Sequence, residues 1–313
     1  MANVTDGVPA LAAGTRMTIA IGALCGLAAS LIWAAQISIA AIAVRGSLPP
    51  MDLVALRFLA GGVVMLPVIW QGRRHGALAG IGWRRGLMLT LAGGPPFLLM
   101  LNLGLQLAPA AHGAIIANGM IPVFTMILGL AVLRTSPSLR ETVGLAVVIA
   151  GIVALGWQSL MTGNAGPWAW AGDLFDAAAA ALWGLYAVLC RRWRVDALRA
   201  TAVMAVVGML VYLPLWLLFY DSHVWAASWG EVVWQAFYQG IVAGIVAILL
   251  FTRAVEMLGA NPAALFSAIT PALAILIAVP VLGEVPGPLE WVGMGLAIAG
   301  MVVALAPTRR RPV

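Results

Sequence analysis

The sequence contains no lysine, two cysteines, three histidines and only 9% charged residues over 313 positions. Each shortage excludes something. Cys25 and Cys190 both fall within or at the end of apolar runs, so no disulfide framework is indicated and both read as small buried hydrophobes. The histidines are scattered, and no HExxH, Walker A, GxSxG or CxxC pattern occurs. An enzyme would need a clustered nucleophile, acid–base pair or metal site. None is visible, and no cofactor or metal is implied. The scarcity of charge excludes a soluble surface: soluble domains carry roughly 25% charged and 45–50% apolar residues, whereas 63% of this chain is hydrophobic.

What is present is long apolar chain. A helix needs about 20 mainly apolar residues to cross a hydrocarbon layer about 30 Å thick. Reading from breaker to breaker predicts ten such spans, near 18–44, 51–71, 84–108, 111–133, 139–157, 170–190, 199–220, 231–257, 261–282 and 289–306. Continuous runs, rather than alternation over about ten residues, indicate helices and not a barrel. Residues 1–17 read as a short tail, and 307–313 as a basic one.

The pI near 10.3 does not indicate a nucleic-acid partner, because the seventeen arginines punctuate loops instead of forming a patch. One side of the predicted bundle receives Arg16, Arg73, Arg74, Arg84 and Arg85; it also receives the later arginines from Arg134 to Arg311. The other receives Arg45, with Arg57 inside the second span. That bias places both termini in the cytoplasm. The loop with Asp221, His223 and Glu231 falls outside, and a bacterial inner membrane is the default location. The expected partners are the lipid bilayer and a small-molecule substrate; a monomer suffices.

Sliding the chain against itself exposes a repeat. Residues 113–155 align without a gap on 262–304, setting Pro122 on Pro271, Glu141 on Glu290, Gly144 on Gly293 and Gly151 on Gly300. Upstream, Gly22 and Trp33 fall on Gly172 and Trp183. Two units of five spans, 18–157 and 170–306, are the expected organisation; five being odd, the second copy enters from the opposite side. Inverted repeats recur in secondary transporters, whose substrate sites lie near the midplane.

These features, with Ala55-Leu56-Arg57-Phe58, Thr270-Pro271, Leu282-Gly283-Glu284 and Ala299-Gly300, resemble the EamA family of the drug/metabolite transporter superfamily over nearly the whole chain. The resemblance implies ten helices in two inverted halves, export of amino acids or other small metabolites, and a cavity lined mainly by spans 1, 3, 4, 6, 8 and 9. The wealth of tryptophan is similar to YddG-type aromatic amino acid exporters. The first half departs from the pattern, with Arg134-Thr135 where the second has Gly283-Glu284. Glu284 is expected to anchor a loop.

Polar and aromatic residues near the midplane form the candidate site. Ser30, Trp33 and Gln36 share a face of span 1, with Trp183 and Tyr186 at the matching positions of span 6. Asn102, Asn118, Tyr238, Gln239, Ser267 and Thr270 join them, and Asp176 offers a carboxylate for an ammonium or a proton. Each also has a packing reading, since Ser, Thr and Asn join helices in membranes. Arg57 is expected to orient its helix or bridge the halves, and His112 to sit at the surface. Hinges are expected at Gly93-Gly94-Pro95-Pro96, at Gly119 with Pro122, at Gly240 with Gly244, and at Pro271. The reading is an amino acid exporter working by alternating access; a channel, a non-transporting scaffold and an exporter of another metabolite or drug are the alternatives.

Overall fold

The computed structural model describes residues 9–134, 137–162, 166–258 and 260–305, and every regular element among them is helical. The order is α1 (Pro9–Arg45), α2 (Pro50–Gly72), α3 (Trp83–Gly93), α4 (Pro95–Leu107), α5 (Ala110–Leu133), α6 (Leu139–Thr162), α7 (Ala169–Trp193), α8 (Ala197–Phe219), α9 (Trp229–Gln235), a π-helical stretch (Ala236–Val246), α10 (Ala247–Leu258), α11 (Ala260–Leu282) and α12 (Pro288–Leu305). Among the described residues, seven helical stretches are long and apolar enough to cross a membrane, and shorter apolar helices cover Phe266–Leu282 and Pro288–Ala304.

Helix starts are written locally. Proline, whose missing N–H costs nothing in a first turn, opens α2 and α12. Ser138 and Glu141 cap α6 reciprocally: Glu141 accepts the Ser138 N–H at 2.6 Å, and the Ser138 hydroxyl accepts the Glu141 N–H at 3.2 Å. Glu290 accepts the Gly287 N–H at 2.8 Å. The glutamates 149 residues apart therefore do the same work in both halves.

Two expectations change, the start of the first helix and the breaks at Gly119 with Pro122 and at Pro271. The first helix begins at Pro9, not at 18, because the Ala-rich run before Arg16 has high helix propensity. The third span is two helices: Gly94, at φ −96° and ψ −135°, separates α3 from α4. Pro95 explains this, since it disfavours helical backbone in the residue before it. By contrast Gly119, Pro122 and Pro271 do not interrupt their helices, for α5 and α11 run through them. Prolines are tolerated inside membrane helices when neighbours satisfy the freed groups. The eighth span is loosened around Gly240 and Gly244, as a π-helix.

Packing follows the repeat. Exchanging the halves turns the pairing of α5 with α7 into that of α11 with α1, and the pairing of α4 with α7 into that of α10 with α1; α2 with α8 and α6 with α12 map onto themselves, and all of these pairs pack. The α6–α12 seam is the most extensive and is built on glycine. A methyl added at Gly144 would stand 2.6 Å from the Gly300 carbonyl oxygen, and one at Gly151 would stand 2.5 Å from that of Gly293. Such backbone proximity gives membrane helices their contact energy in the absence of a hydrophobic drive. Gly151→Leu should separate the seam and destabilise the protein by about 1–3 kcal/mol, read as a lowered melting temperature in detergent.

Candidate functional site

The bundle has two ends. At one, Arg45 is the sole arginine of the described helix ends; the other carries Arg73, Arg74, Arg84, Arg85, Arg134, Arg140, Arg191, Arg192, Arg194, Arg199 and Arg253.

The arginine-poor end is tied shut. Arg45 donates to carbonyls at the C-terminal end of α4 and its cap, from Nε to Leu105 O at 2.9 Å and from Nη2 to Ala108 O at 2.7 Å. Its Nη1 meets Glu284 Oε1 at 2.5 Å, and Glu284 Oε2 accepts the first N–H of α5, from Ala110, at 2.7 Å. A cation thus caps a helix C-terminus, an anion caps an N-terminus, and the two pair. Glu284 anchors its loop in this way. Nearby, the buried Asp52 accepts hydrogen bonds from Trp216 Nε1 at 2.8 Å, Ser222 Oγ at 2.9 Å and the His223 N–H at 2.9 Å. His112 does not sit at the surface as expected. It is fully buried, with Nδ1 2.8 Å from Asp173 and Nε2 3.7 Å from Glu290. Its partners lie 61 and 178 positions away in sequence, which is why no local pattern announces them.

Below this closure lies a cavity of about 1060 Å³ that extends to Glu141, Arg191 and Ala197 at the arginine-rich end. That volume is at the upper limit of small-molecule pockets, which run to roughly 1,000 Å³. A shallower concavity of about 560 Å³, lined by Arg134, Arg191, Arg192 and Arg194, sits at the arginine-rich surface; its lining offers no aromatic side chain.

The cavity gathers much of the expected site. Trp33 and Gln36 reach it from α1, Asn118 from α5, Trp183 and Tyr186 from α7, and Ser267 and Thr270 from α11. Its aromatic walls are paired across the repeat. The Trp183 ring packs at a tilt 4.7 Å from Phe97 of α4, and Trp33 packs likewise 5.5 Å from Phe251 of α10. Tyr186 extends the first wall, 4.9 Å from Trp183. It also fills the space beside Gly93, where a methyl would stand 2.7 Å from its ring. The α3–α4 break and this wall therefore fit together. Sequence reading missed Phe97, Phe251, Thr125 and Arg57; Phe97 and Phe251 carried a signal, as aromatics on corresponding spans.

The prolines contribute although their helices stay continuous. Pro122 has no N–H for the Asn118 carbonyl, and Pro271 none for that of Ser267. Both carbonyls belong to cavity-lining residues, 149 positions apart. The Asn118 amide donates to Ala114 O at 2.9 Å, and its side-chain oxygen has no hydrogen-bond partner among the described residues.

Other expected residues lie outside the lining. Ser30 is buried and donates to Phe266 O at 2.7 Å. Tyr238 donates to Ile32 O at 3.0 Å, pinning the π stretch to α1, and Trp33 answers by donating to Ala243 O at 3.3 Å. Gln239 is buried against Gln235, and Asn102 is buried without lining the cavity. Tyr238 and Gln239 both lie in the π stretch, where their side chains bond to Ile32 of α1 and to Gln235 rather than line the cavity. Asp176 is fully buried behind Gly104 and Gly113, with neither carboxylate oxygen hydrogen-bonded.

Arg57 lies against the other half, its Cζ and Nε 3.9 Å from where a methyl at Gly244 would stand. Beyond that contact it lines the cavity and forms no ion pair or hydrogen bond among the described residues.

Long apolar helices around a central aromatic cavity define a multi-pass helical membrane protein of transporter type. The chain belongs to the EamA-like transporter family, whose model matches residues 20–157 and 170–306. It is 25% identical to the uncharacterized transporter YwfM of Bacillus subtilis (strain 168) over 292 residues, covering 91% of this chain and 94% of that protein. A crystal structure 23% identical in sequence shares the fold, with a TM-score of 0.62 over 90% of this chain and 96% of its own. The relative's name specifies no substrate, and the narrower likeness to aromatic amino acid exporters gains nothing from it.

Proposed function

We propose that this chain is a secondary transporter of the bacterial inner membrane that exports small amphipathic metabolites, foremost amino acids including aromatic ones, by alternating access. In this reading ten spans form two inverted repeats with both termini in the cytoplasm, and the arginine-rich end faces the cytoplasm by the positive-inside rule. The observation that carries it is the pairing of functional features across the repeat. Two aromatic walls, Trp183–Phe97 and Trp33–Phe251, and two proline-freed carbonyls, at Asn118 and Ser267, surround one cavity that reaches one end and is braced shut at the other. Aromatic faces suit an apolar side chain, and freed carbonyls suit an ammonium, as expected of sites with few, placed polar groups. Exchange of conformation between similar halves would move the closure to the opposite end.

The test is counterflow of labelled amino acids in proteoliposomes. Saturable exchange of phenylalanine, leucine or alanine above protein-free vesicles is expected. Its absence, with flux restored by another metabolite class, would retain transport and discard amino acids; no saturable flux for any metabolite would leave a scaffold. Repeating the measurement with an imposed pH gradient, in the wild type and in Asp176→Asn, reads the driving force. Stimulation lost in the variant means proton coupling through Asp176, and indifference means facilitated diffusion.

A further inference from the structure

Among the described residues, the buried side-chain polar atoms left without a hydrogen-bond partner are Ser38 Oγ, Arg57 Nη1 and both oxygens of Asp176. They share a level. Ser38 lies seven residues before the end of α1 at Arg45, Arg57 seven after the start of α2 at Pro50, and Asp176 seven after the start of α7 at Ala169. At 1.5 Å per residue each is about 10 Å below the arginine-poor end. Only Arg57 of the three lines the cavity.

A guanidinium at that depth is unusual. A charge within the membrane is costly and as a rule is paired or directed at a polar cavity. The carboxylate at the same level, on Asp176, is walled off by Gly104 and Gly113 and forms no ion pair with Arg57. The other charged residues of the lining, Glu141 and Arg191, are exposed at the opposite mouth, and Glu141 is already engaged with the Ser138 N–H. Reaching past the arginine-poor end for water is blocked by the Arg45–Glu284 brace and the Asp52 cluster above. The guanidinium's remaining exposure is to the cavity, and it rests against the π-helical stretch at Gly244, which has no side chain to crowd it. π-helical turns recur at functional sites. A planar fork of N–H donors fits a carboxylate with two parallel bonds.

We propose that Arg57 is the anion-recognition residue of the cavity and that the transported solute carries a carboxylate which pairs with it. The proposal rests on the transport reading for the role of the bound molecule, though not for the binding itself. With the freed carbonyls of Asn118 and Ser267 as acceptors and the aromatic walls between, the cavity addresses the three parts of an apolar amino acid: carboxylate, ammonium and side chain.

The test separates binding from flux. Equilibrium dialysis of the purified full chain uses phenylalanine and leucine, their methyl esters, which lack the carboxylate, and their N-acetyl forms, which keep it. The wild type should bind the free and N-acetyl acids at least tenfold more tightly than the esters; Arg57→Gln and Arg57→Met should abolish that preference, and Arg57→Lys should retain part of it. Because an unpaired buried charge destabilises the empty protein, Arg57→Met should melt no lower than the wild type without ligand and should lose the stabilisation that the acid confers. Esters binding as well as acids, no acid binding to the wild type, or Arg57→Met melting lower with unchanged acid affinity would each overturn the proposal. Acid binding lost in Arg57→Gln but accompanied by no vesicle flux would uphold it and overturn transport instead.

Discussion

Truncating Trp183 to alanine is expected to lower amino acid flux at least tenfold while leaving the folded protein near its original melting temperature. The ring is partly exposed to the cavity, packs at a tilt against Phe97 and Tyr186, and makes no hydrogen bond among the described residues. Its loss removes a binding wall rather than a support. Tyr186→Ala should act in the same direction with a larger stability penalty, because its ring fills the space at Gly93 and packs near Met204. Trp33→Ala provides the internal comparison. Its indole also donates to Ala243 O in the π stretch, so it should reduce flux and melting temperature together. Equal flux in the wild type and Trp183→Ala would mean the solute does not use this wall.

Asp52→Ala should produce the largest loss of stability that does not come from steric clash. A fully buried carboxylate there serves three donors, Trp216 in the last turn of α8 and Ser222 and His223 on the α8–α9 connection. Charge-assisted hydrogen bonds contribute about 1.5–3 kcal/mol each, and stranded buried donors add to the loss; a net destabilisation of about 3 kcal/mol or more is expected. Asp52→Asn should be milder. Its carbonyl oxygen can keep the two bonds that Oδ1 accepts from Trp216 and Ser222, while its amide would face the His223 N–H donor to donor. Thermal melting of both variants in detergent orders them; an alanine variant as stable as the wild type would show that the cluster does not hold this end together.

Much of this architecture was legible in the sequence because a bilayer leaves the chain few choices. Continuous apolar runs mean helices, and registered Pro122 and Pro271, Trp33 and Trp183, Glu141 and Glu290 mean a repeat. Trp33 and Trp183 stand out for the same reason, as two copies of one pattern, whereas Phe97 and Phe251, on corresponding spans but at a different offset, do not. What was not legible depends on which face of a helix meets which neighbour. His112 looked like a surface histidine because Asp173 and Glu290 approach it only through tertiary packing. Tyr238 and Gln239 were counted with the cavity for their polarity and depth, which does not reveal that their hydrogen bonds go to Ile32 and Gln235. Arg57 looked like a helix-orienting cation because nothing in the sequence says that its carboxylate-bearing neighbours all turn elsewhere. Uniformly apolar helices hide such facts, since their hydrophobic pattern has no polar side to fix the phase.

The Arg45–Glu284 brace has a thermodynamic corollary. Moving Glu284 back by one repeat leads to Thr135, and moving Arg45 forward by 150 leads to Val195, so the opposite end has no such pair to form from those positions. In the alternating-access reading, two conformers that trade closures would therefore be unequal in energy, and every 1.4 kcal/mol of that tilt would be tenfold in their ratio. The tilt would favour an empty carrier open at the arginine-rich end, and a solute would have to bind the other conformer more tightly to reverse it. Such a bias would set where the carrier waits and how fast it cycles. It has no say in the direction of net flow, which the gradients alone decide.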